Sequence, residues 1–365
     1  MSEWQTFCLK DLGKIVGGAT PSTNNPKNYG NKIAWITPKD LSTLQGRYIK
    51  KGSRSISRLG FKSCSTFLLP KHAILFSSRA PIGYVAIAKK RLCTNQGFKS
   101  IIPNKKIYFE FLYYLLKYHK DNISNIGGGT TFKEVSGATL GLFKVKIPPT
   151  YYEQQKIART LSILDQKIEN NHKINELLHT LAYKIYEYYF KYKPKNAKLE
   201  QIIIENPKSS IMVKNAQKTQ DKYPFFTSGD NILFYPKAII DGRNCFLNTG
   251  GNAGIKFYVG KASYSTDTWC ICANEFSDYL YLLLSSIKTH INQSFFQGTS
   301  LKHLQKNLLK KYPIYMPSAH EIKKFNQIIM PLLTLISINT RTSKNLEQIR
   351  DFLLPLLLKQ QVKPQ

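Results

Sequence analysis

The stretch IPPTYYEQQKIA, residues 147–158, recurs in altered form as YMPSAHEIKKFN at residues 315–326. Aligning the two copies places Pro149 over Pro317, Glu153 over Glu321 and Asn171 over Asn339. Each copy follows a region of short apolar runs and leads into a long stretch of helical periodicity. The chain is therefore predicted to contain one plan twice, a globular region followed by a long helix.

A second pair of similar stretches lies upstream of each copy. ILFSSRAPIGYVAI at 74–87 resembles CFLNTGGNAGIKFY at 245–258, and CTNQGF at 93–98 resembles YSTDTW at 264–269. Their offset differs slightly from that of the junctions, and loop insertions account for the drift. The predicted parts are a first domain at 1–150, a first helical region at 151–193, a second domain at 194–316 and a second helical region at 317–365.

Both helical regions carry a heptad seam, with apolar residues at alternating spacings of three and four. Two such seams in one chain are predicted to pair as a coiled coil. Because the halves are similar, packing about a pseudo-twofold axis makes the helices antiparallel, with about 27 residues or roughly 40 Å of helix between the domains. The seam residues are Leu164, Ile168, Asn171, Asn175, Leu178, Ala182 and Ile185 in the first helix and Leu332, Leu335, Asn339, Leu346, Ile349 and Leu353 in the second.

Proline limits the second helix in this interpretation. Pro331 suits the first turn of a new helix, so a short separate helix is expected at about 319–329. Inside each domain, strand-like runs alternate with turn signals and one helical run interrupts them. The predicted fold class is α+β: two similar mixed α/β domains separated by two long helices that form an antiparallel coiled coil, an internal repeat with pseudo-twofold symmetry.

The net charge of +31 is the strongest feature of the composition. It amounts to +18 for residues 1–150 and +7 for 194–316, whereas the two helical regions carry +2 and +4. Lysine and arginine clustered in the domains favour a polyanionic partner, since they release counterions on meeting phosphates. A merely basic, soluble surface and an anionic membrane are the alternatives, although neither helix is basic along one face.

Polar residues in the predicted loops are candidates for reading DNA. Arginine and lysine pair with guanine, glutamine and asparagine with adenine, and aspartate with cytosine, while clustered lysines hold phosphate. The first domain offers Thr37, Lys39, Asp40, Arg47, Lys50, Lys51, Arg54, Arg79, Gln96, Lys99, Thr130, Thr131 and Lys133. The second offers Thr227, Asp230, Arg243, Asn252, Lys256, Thr266, Asp267, Gln297, Thr299 and Ser300.

Common catalytic motifs are missing from the sequence. NIGGGTTF lacks the third glycine of a dinucleotide fingerprint and the Lys-Ser/Thr of a phosphate loop. IPPTYY has Ile147 where an adenine methyltransferase needs Asn or Asp, and 22 acidic residues leave little room for a two-metal nuclease site. A self-contained nuclease or methyltransferase with a divergent active site stays open as an alternative, as does an autonomous DNA-binding regulator.

Short sequence motifs indicate where the protein is located and whether it holds disulfides or a metal ion. No basic segment followed by an apolar run is evident at the N-terminus, so an export signal is not expected and a cytoplasmic location is predicted. The longest apolar clusters are far below membrane-spanning length. Six cysteines show no C-x-x-C pair and no clustering with histidines, so neither disulfides nor a metal site is expected.

The chain resembles the specificity subunits of type I restriction-modification systems. The matching stretches are KDLGKIVGGATPSTNNPKNYGNKIAWITPKDL, FSSRAPIGYVAI, TNQGF and LGLFKVKIPPTYYEQQKIARTLSILDQKIENNHKIN, with NTGGNAG, STD and PSAHEIKKFNQII matching more loosely. The second junction departs from the pattern, because Ile322 and Lys323 replace its Gln-Gln pair. This departure raises the question whether both ends hold their partners equally.

This resemblance implies a non-catalytic DNA-recognition subunit. Two target recognition domains would each read half of a bipartite double-stranded DNA site, and the antiparallel helices would set the gap. The helices would also dock two methyltransferase subunits that use S-adenosylmethionine to methylate adenine. Two motor-nuclease subunits that use ATP and Mg²⁺ would join for restriction, and the chain itself would carry no cofactor and no catalytic residue.

Overall fold

The chain divides into two compact units in a computed structural model that describes residues 3–129, 133–216, 222–229 and 232–364. Unit 1 comprises residues 1–170 and 344–365, and unit 2 comprises residues 171–343. Each of two long helices therefore contributes to both units. The four-part division at 150, 193 and 316 stays a prediction, because the compact units divide inside the helices.

Unit 1 is built from short strands and helices around one long helix. In chain order its elements are β1 (Gln5–Cys8), α1 (Leu9–Leu12), β2 (Gly13–Gly17), β3 (Tyr29–Ile36), α2 (Pro38–Ser42), β4 (Tyr48–Ile49), β5 (Arg54–Ile56), α3 (Arg58–Lys62), β6 (Ile74–Phe76), β7 (Val85–Ala88), β8 (Cys93–Thr94), β9 (Lys99–Pro103), α4 (Phe109–Asn125), α5 (Gly137–Leu142), β10 (Lys144–Ile147) and the first half of α6 (Tyr151–Phe190).

The strands of unit 1 form a five-stranded sheet, β2-β9-β6-β7-β4, and a three-stranded sheet, β5-β3-β8. Strand β6 is buried along its whole length, which suits its central place in the larger sheet. Within the smaller sheet, β3 pairs antiparallel with β5 and parallel with β8. Strands β1 and β10 pair antiparallel and bring the start of the unit next to the junction that leads into α6.

Unit 2 repeats this plan in a shorter segment. Its elements are β11 (Ala197–Lys198), β12 (Ile204–Glu205), α7 (Val213–Ala216), β13 (Tyr223–Phe226), β14 (Leu233–Tyr235), β15 (Arg243–Asn248), β16 (Ile255–Val259), β17 (Ser263–Tyr264), β18 (Thr268–Cys272), α8 (Ser277–Ser286), α9 (Lys288–Ser294), β19 (Phe296–Gln297), β20 (His303–Leu304), α10 (Lys306–Lys310), β21 (Pro313–Ile314) and α11 (Ala319–Leu358).

The two units share one sheet topology. The order β12-β18-β15-β16 in unit 2 repeats β2-β9-β6-β7, and β14-β13-β17 repeats β5-β3-β8 with the same antiparallel and parallel pairs. Strands β11 and β21 pair as β1 and β10 do. The internal repeat predicted from the sequence is thus present in the fold, with two mixed α/β domains.

Each long helix begins at the repeated junction. The Glu153 backbone N–H donates to the Thr150 hydroxyl, and the Glu321 backbone N–H donates to the Ser318 hydroxyl, at 3.2 and 3.3 Å. These N-caps satisfy backbone groups that a helix start leaves open. Both helices run for 40 residues and lie within the predicted helical regions 151–193 and 317–365.

The long helices complete the core of each unit. In unit 1, Leu161 of α6 and Leu357 of α11 join a cluster that includes Phe76 and Phe111. In unit 2, α6 and α11 both contribute to a cluster around the apolar face of α8. Its helix members are Ala182, Tyr186 and Phe190 from α6 and Ile322, Phe325, Ile329, Leu333 and Ile336 from α11.

Asparagines join α6 and α11 inside unit 2. The Asn171 amide donates to the Ser343 hydroxyl at 3.2 Å, and the Asn339 amide donates to the Asn175 side-chain oxygen at 2.9 Å. Advancing along α6 moves the partner backwards along α11, so the helices are antiparallel here. In the repeat, Asn339 aligns with Asn171 and Ser343 aligns with Asn175, so the two contacts exchange equivalent positions.

The predicted seam of α11 is wrong at Leu335 and Ile349, which are 42% and 47% exposed. The next residue, Ile336, is buried instead. This part of α11 packs on the sheet of unit 2 as well as on α6. For example, the backbone N–H of Val259 in β16 donates to the Ser337 hydroxyl. Among the other predicted seam residues Ile168 and Ala182 are buried, and Leu164, Asn171, Asn175, Leu178, Ile185, Leu332, Asn339, Leu346 and Leu353 are half-buried.

The prediction of a separate helix before Pro331 is also wrong, since α11 continues through it. Pro331 lies on the exposed side, and so does Gln327, whose carbonyl lacks the usual N–H partner. Water can satisfy that carbonyl, which makes the proline tolerable at this position.

Gln154, one of the junction glutamines, serves the interior of unit 1. Its side chain is buried, accepts a hydrogen bond from Tyr108 N at 2.7 Å and donates to Lys106 O at 3.0 Å. Ile322 stands at the equivalent position of unit 2 and is buried in an apolar cluster. The lost glutamine therefore changes internal packing, whereas Gln155 and Lys323 are exposed.

Candidate nucleic-acid interface

Three backbone hydrogen bonds hold the loops of unit 1 side by side. Asn95 N donates to Ile36 O at 2.9 Å, Ser78 N to Gly97 O at 2.8 Å, and Val135 N to Ser78 O at 3.0 Å. They join the loops after β3, β8 and β6 to the segment before α5. We call these joined loops the loop frame of unit 1.

Unit 2 has the same loop frame at equivalent positions. Ser265 N donates to Phe226 O at 2.9 Å, Thr249 N to Asp267 O at 3.2 Å, and Leu304 N to Thr249 O at 3.0 Å. The stretches that carry these positions are only loosely similar in sequence, because backbone atoms make all of these bonds. Side chains on the frame can therefore differ while the backbone that positions them stays the same. Such an arrangement suits recognition of different DNA sequences.

The first loop of the unit 1 frame presents Lys39 beside a capped turn. Asp40 accepts hydrogen bonds from Thr37 N at 2.8 Å and Ser53 N at 2.7 Å. Burial acts to raise the pKa of Asp40, but these hydrogen bonds outweigh it and leave the pKa below its ordinary value. Thr37 and Asp40 thus shape the loop, and Lys39 is exposed at its surface.

The bond from Ser53 holds a basic segment next to this loop. Lys50, Lys51 and Arg54 flank Ser53 and are exposed. No acidic residue occurs between positions 51 and 100 of the sequence. This surface is suited to phosphate binding.

A charged group lies where the frame meets the segment before α5. Lys99 Nζ lies 3.1 Å from Glu134 Oε1, and Arg79 Nη1 lies 3.5 Å from Glu134 Oε2. Glu134 was not singled out by the sequence. The one signal that favours it is an acidic residue next to Lys133 in the polar GGGTTFKEVSG stretch of a strongly basic domain.

Two further candidates of unit 1 lie on or beside the frame. Gln96 follows β8, and its side-chain oxygen accepts a hydrogen bond from the Thr20 hydroxyl. Lys133 precedes Glu134 and is exposed. Thr130, Thr131 and Asp230 lie outside the described residues.

The candidates of unit 2 divide between exposed and internal positions. Thr227 is buried and accepts a hydrogen bond from Gly229 N, and the Lys256 ammonium donates to Thr227 O at 2.8 Å and to Asn248 at 3.2 Å. These two side chains support the frame from inside. The half-buried or exposed candidates of this unit are Asn252, Thr266, Asp267, Gln297, Thr299 and Ser300.

Arg47 is held inside unit 1, which corrects its assignment as a DNA-contacting residue. Its side chain is 7% exposed and lies 3.1 Å from both Glu110 and Glu169. Those carboxylates, on α4 and α6, occupy the guanidinium. We therefore assign Arg47 to the attachment of the domain to its helix.

Arg243 has the same role in unit 2 and is corrected for the same reason. Its guanidinium pairs with Asp278 at 2.5 Å and donates to the Thr334 hydroxyl of α11 at 3.0 Å. Burial raises the pKa of Asp278 above its ordinary value, which the arginine opposes. Asp278 is the equivalent of Glu110 in the repeat, so the two units repeat this contact although the arginines do not align in sequence.

A metal centre has no candidate in the part of the chain that the structure describes. There, no three His, Cys, Asp or Glu side chains are grouped to hold a metal ion. Nor does any helix among the described residues have the length and hydropathy to cross a membrane.

Comparison with known proteins identifies the family. The type I restriction modification DNA specificity domain matches residues 1–180 and again 195–348. The MjaIX specificity subunit of Methanocaldococcus jannaschii is 33% identical over 98% of this chain and 93% of its own length. The HindI specificity subunit of Haemophilus influenzae is 30% identical over 46% of this chain and 37% of its own.

The fold is also that of a solved specificity subunit. The crystal structure of the type I restriction-modification S subunit from M. genitalium superposes with a TM-score of 0.64 at 18% identity, covering 97% of this chain and 96% of the other. Specificity subunits recognise DNA and are non-catalytic. The chain, with its two domains and paired long helices, belongs to the DNA specificity subunits of type I restriction-modification systems.

Proposed function

We propose that this chain binds a bipartite, gapped sequence in double-stranded DNA, with one half read by each loop frame. The single observation that carries the proposal is the recurrence of the same three backbone hydrogen bonds in both units. A loop frame that is repeated with different side chains is suited to reading two different short DNA sequences at one site. The net charge of +31 supplies the attraction to phosphate.

Side chains at the surface of the frames or beside them are the proposed DNA contacts. The basic segment around Ser53 is assigned to phosphate, and the polar tips of the frame loops are assigned to base edges. Six candidates whose side chains hold the fold together are left out: Thr37, Asp40, Arg47, Thr227, Arg243 and Lys256. The proposed contacts are Lys39, Lys50, Lys51, Arg54, Arg79, Gln96, Lys99 and Lys133 in unit 1 and Asn252, Thr266, Asp267, Gln297, Thr299 and Ser300 in unit 2.

The paired helices set the gap between the half-sites in this proposal. The antiparallel contacts of Asn171 and Asn175 fix how far α6 overlaps α11, and the helix length beyond that overlap fixes the spacing. Inserting four residues after Lys173 and four after Arg341 adds about 6 Å to each helix. We expect the gap to lengthen by roughly one to two base pairs, at about 3.4 Å per pair.

Partner subunits perform the chemistry. We propose that two methyltransferase subunits bind the helical regions and methylate adenine with S-adenosylmethionine. Two motor-nuclease subunits using ATP and Mg²⁺ join them for restriction. The complex acts in the cytoplasm, where its DNA substrate lies.

Methylome sequencing tests the proposal. The cognate methyltransferase is expressed in cells with the chain, without it, and with a hybrid whose residues 1–145 come from another specificity subunit. We expect adenine methylation at a gapped site that needs the chain and changes in one half only with the hybrid. Methylation that persists without the chain, or a hybrid that alters both halves, contradicts the proposal.

A further inference from the structure

Glu134 of the unit 1 frame has a fixed backbone but a side chain that is partly exposed to solvent. Its backbone pairs with Gly128, where Glu134 N donates to Gly128 O at 2.8 Å, and Val135 N forms the third frame bond. The backbone on both sides of the carboxylate is thus fixed. The side chain stays 34% exposed.

The carboxylate sits among cations at a surface proposed to face DNA. Both carboxylate oxygens of Asp40, another acidic residue on this frame, accept hydrogen bonds from backbone N–H groups. Glu134 instead pairs with the side chains of Lys99 and Arg79. A carboxylate brought near phosphates loses solvation and is repelled, so a hydrogen-bond donor on the DNA would stabilise it beyond these two ion pairs.

Open space lies beside the carboxylate. A cavity of about 580 Å³ is lined by Arg79, Pro81, Ile82, Lys133 and Glu134 among others. Among the described residues, this space lies against one side of Glu134. The apolar side chains of Pro81 and Ile82 form part of its wall.

We propose that Glu134 is a specificity-determining residue of unit 1, whose carboxylate accepts a hydrogen bond from the amino group of a cytosine in the major groove. This inference rests on the proposed function and assigns one side chain that contacts a base. Cytosine presents only the N4 donor in that groove, whereas adenine presents the N7 acceptor next to its amino group and repels a carboxylate. Lys99 positions the carboxylate.

The second unit carries a different side chain at the equivalent place. His303 precedes Leu304 as Glu134 precedes Val135, and Leu304 N makes the matching frame bond. A histidine cannot supply a carboxylate acceptor. The two half-sites are therefore read by different chemistry at this position.

If Glu134 had only a structural role, its replacement would have a different effect on DNA binding. If Glu134 only neutralised Lys99 and Arg79, its removal would strengthen binding to DNA of any sequence and leave the preferred sequence unchanged. The DNA sequence preferred by Glu134 variants therefore distinguishes base reading from charge neutralisation.

The test is methylome sequencing of cells that express the cognate methyltransferase with the full-length chain or its variants. Glu134→Ala should make one cytosine position of the unit 1 half-site degenerate, with a loss of preference of roughly 5- to 150-fold. Glu134→Gln should shift that position towards adenine, since glutamine pairs with adenine N6 and N7. Glu3→Gln removes an exposed acid of the same unit far from the frame in sequence and should change nothing.

Three results would overturn the inference. The first is a wild-type half-site for unit 1 that contains no G·C pair. The second is an unchanged half-site in both Glu134 variants. The third is loss of all methylation by a folded Glu134→Gln chain that still binds DNA. By contrast, a wild-type methylome with no gapped site would contradict the proposed function itself.

Discussion

The guanidinium of Arg47 bonds the carboxylate of Glu169, which lies far along the chain on α6, at 3.1 Å. The same arginine also bonds Glu110, so the loop before β4, helix α4 and helix α6 are joined by one side chain. Arg243 makes the matching contact in unit 2.

Replacing Arg47 by alanine should destabilise unit 1 by about 3–5 kcal/mol, because two carboxylates that are only 13% and 16% exposed lose their cation. Urea unfolding of the purified chain measures the change. Lys50→Ala, close in sequence and exposed, is the matched control and should stay within about 0.5 kcal/mol. A loss below about 1 kcal/mol for Arg47→Ala would show that the ion pair is dispensable.

The asparagines between α6 and α11 should behave as a coupled pair. Asn175→Leu leaves the Asn339 amide without its partner and should cost about 1–3 kcal/mol. The double variant Asn175→Leu/Asn339→Leu should recover most of that loss, because two leucines pack together. Thermal unfolding of the single and double variants gives the coupling energy, and additive losses would contradict the prediction.

Stability should depend on pH through the cap of α11. A hydrogen bond from the Ser318 backbone, with further bonds from the Tyr315 and Ser318 hydroxyls, lowers the pKa of Glu321 to about 2. A carboxylate with a depressed folded-state pKa stabilises above its unfolded pKa of about 4.3, and the contribution is lost as pH falls towards about 2.

Glu321→Gln should therefore be less stable than the wild type by about 1 kcal/mol at pH 7, with the difference disappearing near pH 2. Denaturant titrations at several pH values measure it. Glu176→Gln, on the outer face of α6, is the control and should show no such trend. A difference that stays constant from pH 7 to pH 2 would argue against the cap.

The basic segment around Ser53 should contribute affinity without sequence preference. Replacing Lys50, Lys51 and Arg54 by alanine should weaken DNA binding of the chain in complex with its methyltransferase at matched and mismatched sites alike. The slope of log affinity against log salt should fall by up to about 2.7, since each phosphate contact contributes about 0.9. A changed methylation sequence in this variant would instead assign these residues to base reading.

The amino-acid sequence by itself determined the repeat. Thr150 and Ser318 lie inside the two junctions and cap the two long helices, which therefore start at equivalent positions of the repeat. Their periodicity identified both helices and the asparagines that join them. Caps and helical periodicity can be read from the sequence because the residues that define them lie within a few positions of one another.

Only the tertiary structure decided which residues face inwards. Leu335 fits the heptad as well as Ile336 does, and the neighbouring sheet of unit 2 selects between them. Arg47 looks like any arginine in a basic segment until α4 and α6 bring its two carboxylates to it. Likewise, the loop frames are bonded through backbone atoms that nearly every residue possesses, so the loose similarity of the two halves did not reveal these bonds. Only folding places Glu134 beside Lys99 and Arg79.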